Sequence, residues 1–393
     1  MISALGVGVA QADQELKGKQ NGTRSMFGLS MPQPPHSLSK CGVAMPANPL
    51  CYTRRMLFLI PHLFPPERLL KAATQDLRLP ALETLLARGT RMPCPAEGME
   101  AALCEALGLA HQQDWPLAPI TLEADGGVAG DTYWMRADPV HLRVMRDRIV
   151  LTDNSALNLS QQEADTLAAT IAQHFGDALR PLPLHPKRWY LCPSGYVQHP
   201  TPPRLVTTPV SIAIGRAIDP LLPQGADATQ YRAQLNELQM LLHEHPVNQA
   251  RESRGELPIN SLWLWGGGFK PATPVTHMQI YARDDVARAL AAFCGSVLHP
   301  LPTRLDKSLL KTAGVILLDE LTPAGQCGDA YGWREAVRVL EESWFVPLLG
   351  ALRTVGAQGL RLVDPVNGQA LHLRASDAWK IWRRPRQVIS MLT

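Results

Sequence analysis

The side chains best suited to chemistry lie in several separated places along the chain. Asp138, His141 and Arg143 bring a carboxylate, an imidazole and a guanidinium close together, and such groups could share acid–base work. Arg251 and Arg254 carry planar forks that match carboxylates and phosphates, although an exposed helix end carries such arginines without any ligand as well. Trp263-Leu264-Trp265 runs into Gly266-Gly267-Gly268, which could cradle a phosphate on backbone N–H groups. The plainer reading is a buried strand whose glycines permit a tight turn. Cys104 and Cys327 could be reactive thiols, with packing as small apolar groups the default. Near the C-terminus, Trp379-Lys380-Ile381-Trp382-Arg383-Arg384-Pro385-Arg386 alternates aromatic and basic residues, in the manner of a nucleic-acid strip or an amphipathic edge strand.

Composition narrows the options. Hydrophobic residues make up 46% of the 393 and charged ones 19%, an ordinary globular balance with room for two domains and a large core. The net charge of +3 argues against a whole-protein field able to collect nucleic acid or anionic lipid, so neither is expected as a partner. No apolar run is long enough to span a bilayer. Seven scattered cysteines with no C-x-x-C pair form neither a disulfide framework nor a zinc site, which makes the reducing cytoplasm the expected compartment.

The elements that must position these groups begin at Met56. Residues 1–55 are rich in Gly, Ser, Asn, Gln and Pro and lack periodicity. Ile2–Ala10 faintly resembles a signal peptide, but no basic residue precedes it, and the segment is expected to be a disordered extension or to precede a true start at Met56. Beyond it, short apolar runs alternate with amphipathic helices, the pattern of an α/β sheet. Strands are expected at Leu57–Ile60, Val210–Ile214, Leu262–Trp265, Met278–Tyr281, Val315–Leu318 and Leu360–Val363. Helices are expected at Pro80–Arg88, Ser160–Phe175, Tyr231–His243, Val286–Phe293 and Trp333–Trp344, with Ser160 and Glu163 as a capping box and Pro347 as a break or end.

One block ties the elements to a known fold. His245-Pro246-Val247-Asn248, Arg251, Gly255, Pro258-Ile259-Asn260 and Trp263-Leu264-Trp265-Gly266-Gly267-Gly268 resemble the HPVN…R…G…PAN-x-x-WLWG-x-G block of archaeal-type, cofactor-independent phosphoglycerate mutases, in the alkaline phosphatase superfamily. Leu79–Gly89 echoes a second segment of that family. The resemblance implies an alkaline-phosphatase-like α/β core from 56–130 and 245–393, flanked by helices, with a smaller α/β domain inserted at 131–244. Ala137-Asp138-Pro139-Val140-His141-Leu142, Arg146-Asp147-Arg148 and Arg188-Trp189-Tyr190-Leu191 are similar, more specifically, to the RpfE-type regulatory proteins.

Carried over residue by residue, the family chemistry meets substitutions. The mutases use two divalent ions, held by Asp and His, to activate a phosphoryl-accepting Ser or Thr. After the first strand, where a metal-binding Asp is expected, this chain has Pro61-His62-Leu63-Phe64-Pro65. The nucleophile motif G-S-D-V-A-x-L-x-x-L-G aligns with Gly98–Gly108 and places Met99 at the serine; a thioether has no proton to lose. The late D-E-A-G-H-D-G-D run keeps Ala324-Gly325 and Gly328-Asp329 but has Thr322 and Gln326 at the ligand positions. Asp364 alone survives from the final Asp-His pair.

The resemblance thus implies a mutase-like protein without metal, cofactor or nucleophile, serving bacterial regulation by binding a small anion or a protein. Arg136, His141, Asn248, Arg251 and Trp265 are the candidate ligand contacts. The rival is a working mutase or metal-dependent phosphoesterase with rebuilt ligands, for which His62, Glu100, Asp364 and His372 are the best candidates. Met99, Thr322, Gln326 and Asp364 are expected to converge in one cleft.

Overall fold

The computed structural model describes residues 56–65, 67–153, 156–193, 202–354 and 359–387; the reading of the first 55 residues falls outside them. A seven-stranded sheet forms the centre. Its strands run, edge to edge, Val297–His299, Gln279–Tyr281, Gly314–Leu317, Met56–Leu59, Leu360–Asp364, Gln369–Leu373 and Thr90–Pro93. The first five are parallel, and the last two close the far edge antiparallel.

Side-chain alternation explains why the central strands read as continuous apolar runs. Met56, Phe58 and Ile60 enter one apolar cluster, and Leu57 and Leu59 enter another on the opposite face. Ile316 and Leu318 against Val315 and Leu317 repeat the division. A parallel strand covered by helices on both faces has no polar side to show. Pro80–Arg88 and Ala330–Leu340 cover the first face; Met99–Leu107 and Asp285–Phe293 cover the second.

A second, four-stranded sheet is wholly antiparallel, in the order Pro181–His185, Arg188–Leu191, Trp134–Val140, Ser261–Gly268. Leu262 and Leu264 face the helices Gln161–Phe175 and Ala228–His243, while Trp263 and Trp265 turn into the second apolar cluster of the large sheet. The mixed α/β architecture is as expected. The strand Ser261–Gly268, from the expected core segment 245–393, contributes its pairing to the smaller sheet.

Three local expectations need correction. Val210–Ile214 is not a strand but one helical turn, Val210–Ala213, entered from Pro209 and left through Gly215 at φ +72°. A β-branched run cannot extend where the chain must reverse within five residues, and the Gly215 N–H bonds to Leu151 O at 2.8 Å. Pro347 does not end its helix: Ala330–Leu340 continues through a π-helical turn, Glu341–Phe345, into Val346–Ala351. The carbonyl that a proline N–H would have used, that of Ser343, instead accepts from Leu305 N at 2.9 Å. Trp379–Arg386 is no edge strand; a 3-10 turn at Ala375–Trp379 passes into a reverse turn.

The π turn also delivers Glu341 to the start of Pro80–Arg88, which has no side-chain cap of its own. Glu341 accepts from Ala81 N at 2.6 Å and Leu82 N at 3.0 Å, filling two orphan donors. Glu341→Ala is expected to lower stability by about 2 kcal/mol and Glu341→Gln by less, read from urea unfolding midpoints.

Candidate functional site

The loops that follow the parallel strands gather at one end of the large sheet, and Asp364 lies at their centre. Its carboxylate is fully buried and accepts five hydrogen bonds. Oδ1 takes His62 N at 3.1 Å, Val366 N at 3.1 Å and Asn367 N at 3.2 Å. Oδ2 takes Phe64 N at 2.9 Å and Asn367 Nδ2 at 2.9 Å. Burial pushes the carboxyl above its ordinary range, and these donors pull it back.

That arrangement fixes the loop after the first strand. His62 is held at φ +61°, rare for a residue with a side chain, by its N–H on Asp364 and by its carbonyl, which accepts from Trp333 Nε1 at 2.8 Å. Its ring lies on Gly325: a Cβ there would come within 2.3 Å of His62 Cγ, which explains the glycine in the Ala324-Gly325 frame. His62 Nδ1 is buried with no hydrogen-bond partner among the described residues. Burial, and then the charge of Arg216, lower this imidazole to about 4, so it is neutral at physiological pH.

A second junction forms at Ser211. Its Oγ donates to Glu100 Oε2 at 2.7 Å, and its carbonyl accepts from Gln326 Nε2 at 2.6 Å. Helix Met99–Leu107, the Val210–Ala213 turn and helix Thr322–Cys327 therefore meet at one residue. Gly98, at φ +93°, bonds through its N–H to Pro365 O at 3.0 Å and has no room for a Cβ beside Ile212. Glu100 is buried, and desolvation raises its carboxyl to about 7 against the Ser211 bond.

Met99, Thr322, Gln326 and Asp364 thus lie on elements that these bonds connect, but the four do not all line one cavity. Gln326 lines a cavity of about 410 Å³ with His62, Arg148, Ser211, Arg216 and Asn367. Asp364 sits directly behind His62 and Asn367. Thr322 is one turn before Gln326, its hydroxyl buried without a partner among the described residues. Met99 packs against the apolar cluster that contains Leu57 and Leu317. A second cavity of about 470 Å³ adjoins the first through Ile212, Arg216 and Leu221, and is bordered by Glu97, Glu100, Trp115 and Trp265.

The five candidate ligand contacts do not share one site. Arg136 makes a bidentate buried pair with Asp138 (2.8–2.9 Å) and stacks between Tyr190 and Trp265. Trp265 Nε1 donates to the same Asp138 at 2.8 Å. Asn248 clamps Leu242 O, Ile259 O and Ile259 N, and Arg251 donates to Leu257 O, Asn158 O and Glu163. His141 Nδ1 meets Pro258 O at 2.8 Å. The His245–Asn260 block therefore fastens the chain into the smaller sheet, and neither Asn248 nor Arg251 lines the two cavities. Cys104 is fully buried, with its thiol pushed well above the ordinary value by desolvation.

Ser211, Arg216 and Asn367 escaped sequence reasoning. Ser211 was hidden by an apolar run that reads as strand, and only the adjoining Gly215-Arg216 signalled a turn with a charge. Of the groups for a rebuilt metal centre, His62 and Asp364 are neighbours. His372 is not with them: it pairs with Arg361, three residues back along the strand, about 10 Å away. Among the described residues no three His, Cys, Asp or Glu side chains are grouped to hold a metal.

No family model matches the chain. It is 27% identical over 241 residues to the 2,3-bisphosphoglycerate-independent phosphoglycerate mutase of Methanosarcina mazei, covering 56% of this chain and 57% of that protein. The enzyme of the same name from Methanothrix thermoacetophila is 42% identical over 76 residues, 19% of either chain, and that of Methanosarcina barkeri is 30% identical over 155 residues, 37% of either. The matches thus span from a fifth to just over half of these relatives' length. Among solved structures, a cofactor-independent phosphoglycerate mutase from Thermoplasma acidophilum aligns over 82% of this chain and 89% of its own, at 17% identity and a TM-score of 0.41. The sequence matches support homology to the cofactor-independent phosphoglycerate mutases.

Glu100 gives the site a pH signature. A carboxyl at about 7 in the folded state and 4.5 when unfolded contributes stability that is complete below pH 4.5 and is lost as pH rises to 7. His62 works in the opposite sense over much of that window. Glu100→Gln, compared with the parent, is therefore expected to remove a fall in stability of about 3 kcal/mol between pH 4.5 and 8, measured by urea unfolding across that range.

Proposed function

We propose that this chain is a phosphoglycerate-mutase-like binding protein of bacterial regulation, of the RpfE type, in which phosphoryl transfer does not run. The observation that carries the reading is the state of Asp364. The one retained ligand position has its lone pairs committed to five N–H donors. Two divalent ions bridging a phosphate need several carboxylates and imidazoles. The immediate neighbours of Asp364 supply His62, a loop backbone and an asparagine, and that donor set does not fit two ions. Met99 offers no hydroxyl to phosphorylate.

Positive charge at the cleft comes instead from Arg148 and Arg216, both at the rim of the cavity that holds His62 and Asn367. Arg216 has no ion pair among the described residues. Guanidinium groups hold a small anion, carboxylate or phosphate, without the polarisation that a metal supplies. Binding without turnover suits a regulatory protein. The free thiols of Cys94, Cys104, Cys192, Cys294 and Cys327 support a cytoplasmic setting.

The test uses the full chain. Metal content by mass spectrometry is expected to be substoichiometric, and interconversion of 2- and 3-phosphoglycerate is expected at background. Two equivalents of manganese or zinc together with turnover would establish the rival enzyme. Titration with inorganic phosphate or 3-phosphoglycerate, followed by calorimetry, should show binding that Arg216→Ala weakens about tenfold.

A further inference from the structure

The end of the described chain combines exposed apolar groups with unpaired charge. Trp379, Ile381 and Trp382 are 60%, 73% and 72% exposed, the densest run of outward-facing large apolar side chains among the described residues. Beyond Asp377 the sequence holds Lys380, Arg383, Arg384 and Arg386 and no acidic residue. Four cationic side chains within seven residues, with no acidic side chain anywhere in 378–393, make this a local patch of positive charge.

The backbone presents this group as a fixed tip. Ile381 N donates to Trp379 O at 2.8 Å and Arg383 N to Lys380 O at 3.1 Å, closing a turn. Lys380 is held by Asp377 at 2.6 Å, and Arg353 lies 3.9 Å over one face of the Trp379 ring. With Trp379 and Lys380 tied to the body, Ile381 and Trp382 point outward, beside three exposed arginines that have no ion pair among the described residues.

We propose that this turn docks the protein on an anionic lipid surface. Ile381 and Trp382 enter the headgroup layer, and Arg383, Arg384 and Arg386 pair with lipid phosphates. Indole rings partition to the membrane interface, and an exposed isoleucine gains by leaving water. A single-stranded nucleic acid fits less well, because Ile381 has no π face to stack and Arg353 occupies one face of Trp379. The attachment is peripheral: no helix among the described residues is long and apolar enough to cross a membrane.

Sedimentation of the full chain with vesicles of phosphatidylglycerol in phosphatidylcholine tests the proposal. Binding is expected to the anionic vesicles and not to phosphatidylcholine alone, and to weaken as salt rises. The double variant R383A/R384A should lower the partition coefficient about 30-fold, and I381S/W382S should lower it at least as much, with unfolding midpoints unchanged. Absence of binding to anionic vesicles, equal binding to neutral ones, or variants that bind like the parent would overturn it. So would preferential binding of a single-stranded oligonucleotide that the same substitutions remove.

Discussion

A single buried carboxylate organises the end of the sheet where the loops meet. Asp364 has no counter-charge among its hydrogen-bond partners; what balances it is a ring of backbone N–H groups from two loops and one asparagine amide. Isolated, such a charge would be too costly to bury, and with five donors it becomes an acceptor on which the loops fold. The unusual backbone of His62, the position of Phe64 and the turn through Asn367 all depend on it. The ring of His62 then requires glycine at 325, which places helix Thr322–Cys327.

Hydrogen bonding to one carboxylate is what holds these strand-end loops together. Ser211 is the second such node, linking Glu100 to Gln326 across three elements. Both nodes work by filling backbone and side-chain partners rather than by charge. Two arginines stand at the rim of the cleft, and its wall carries the His62 ring, whose buried Nδ1 has no hydrogen-bond partner among the described residues.

Much of the framework was legible in the sequence, because the central strands are buried on both faces and announce themselves as apolar runs. Met56–Leu59, Gly314–Leu317 and Leu360–Asp364 fall within a residue or two of expectation, as do Pro80–Arg88 and the capped helix from Gln161. The failures have a common cause, tertiary partners invisible to local pattern. Val210–Ala213 curls because Gly215 is held by Leu151. Pro347 is tolerated because Leu305 takes the carbonyl it frees. Asn248 and Arg251, polar residues in a diagnostic block, suggested a ligand, yet their partners are carbonyls of a turn that only the fold brings near. At the site, residue types at aligned positions could be read one by one, whereas Ser211, Arg216 and Asn367 enter only through the folded loops.

The mutual fit of His62 and Gly325 has a mechanical consequence. The imidazole rests on the glycine while the same residue's N–H is bound to Asp364 and its carbonyl to the Trp333 indole, so the loop after the first strand and helix Thr322–Cys327 can move only together. A side chain at 325 would push on the ring, and through the backbone of His62 that push would reach the buried carboxylate and the turn through Asn367. The wall of the cleft is thereby geared to the centre of the sheet, and a molecule pressing on His62 from the cavity would be felt on the far side of the strand ends.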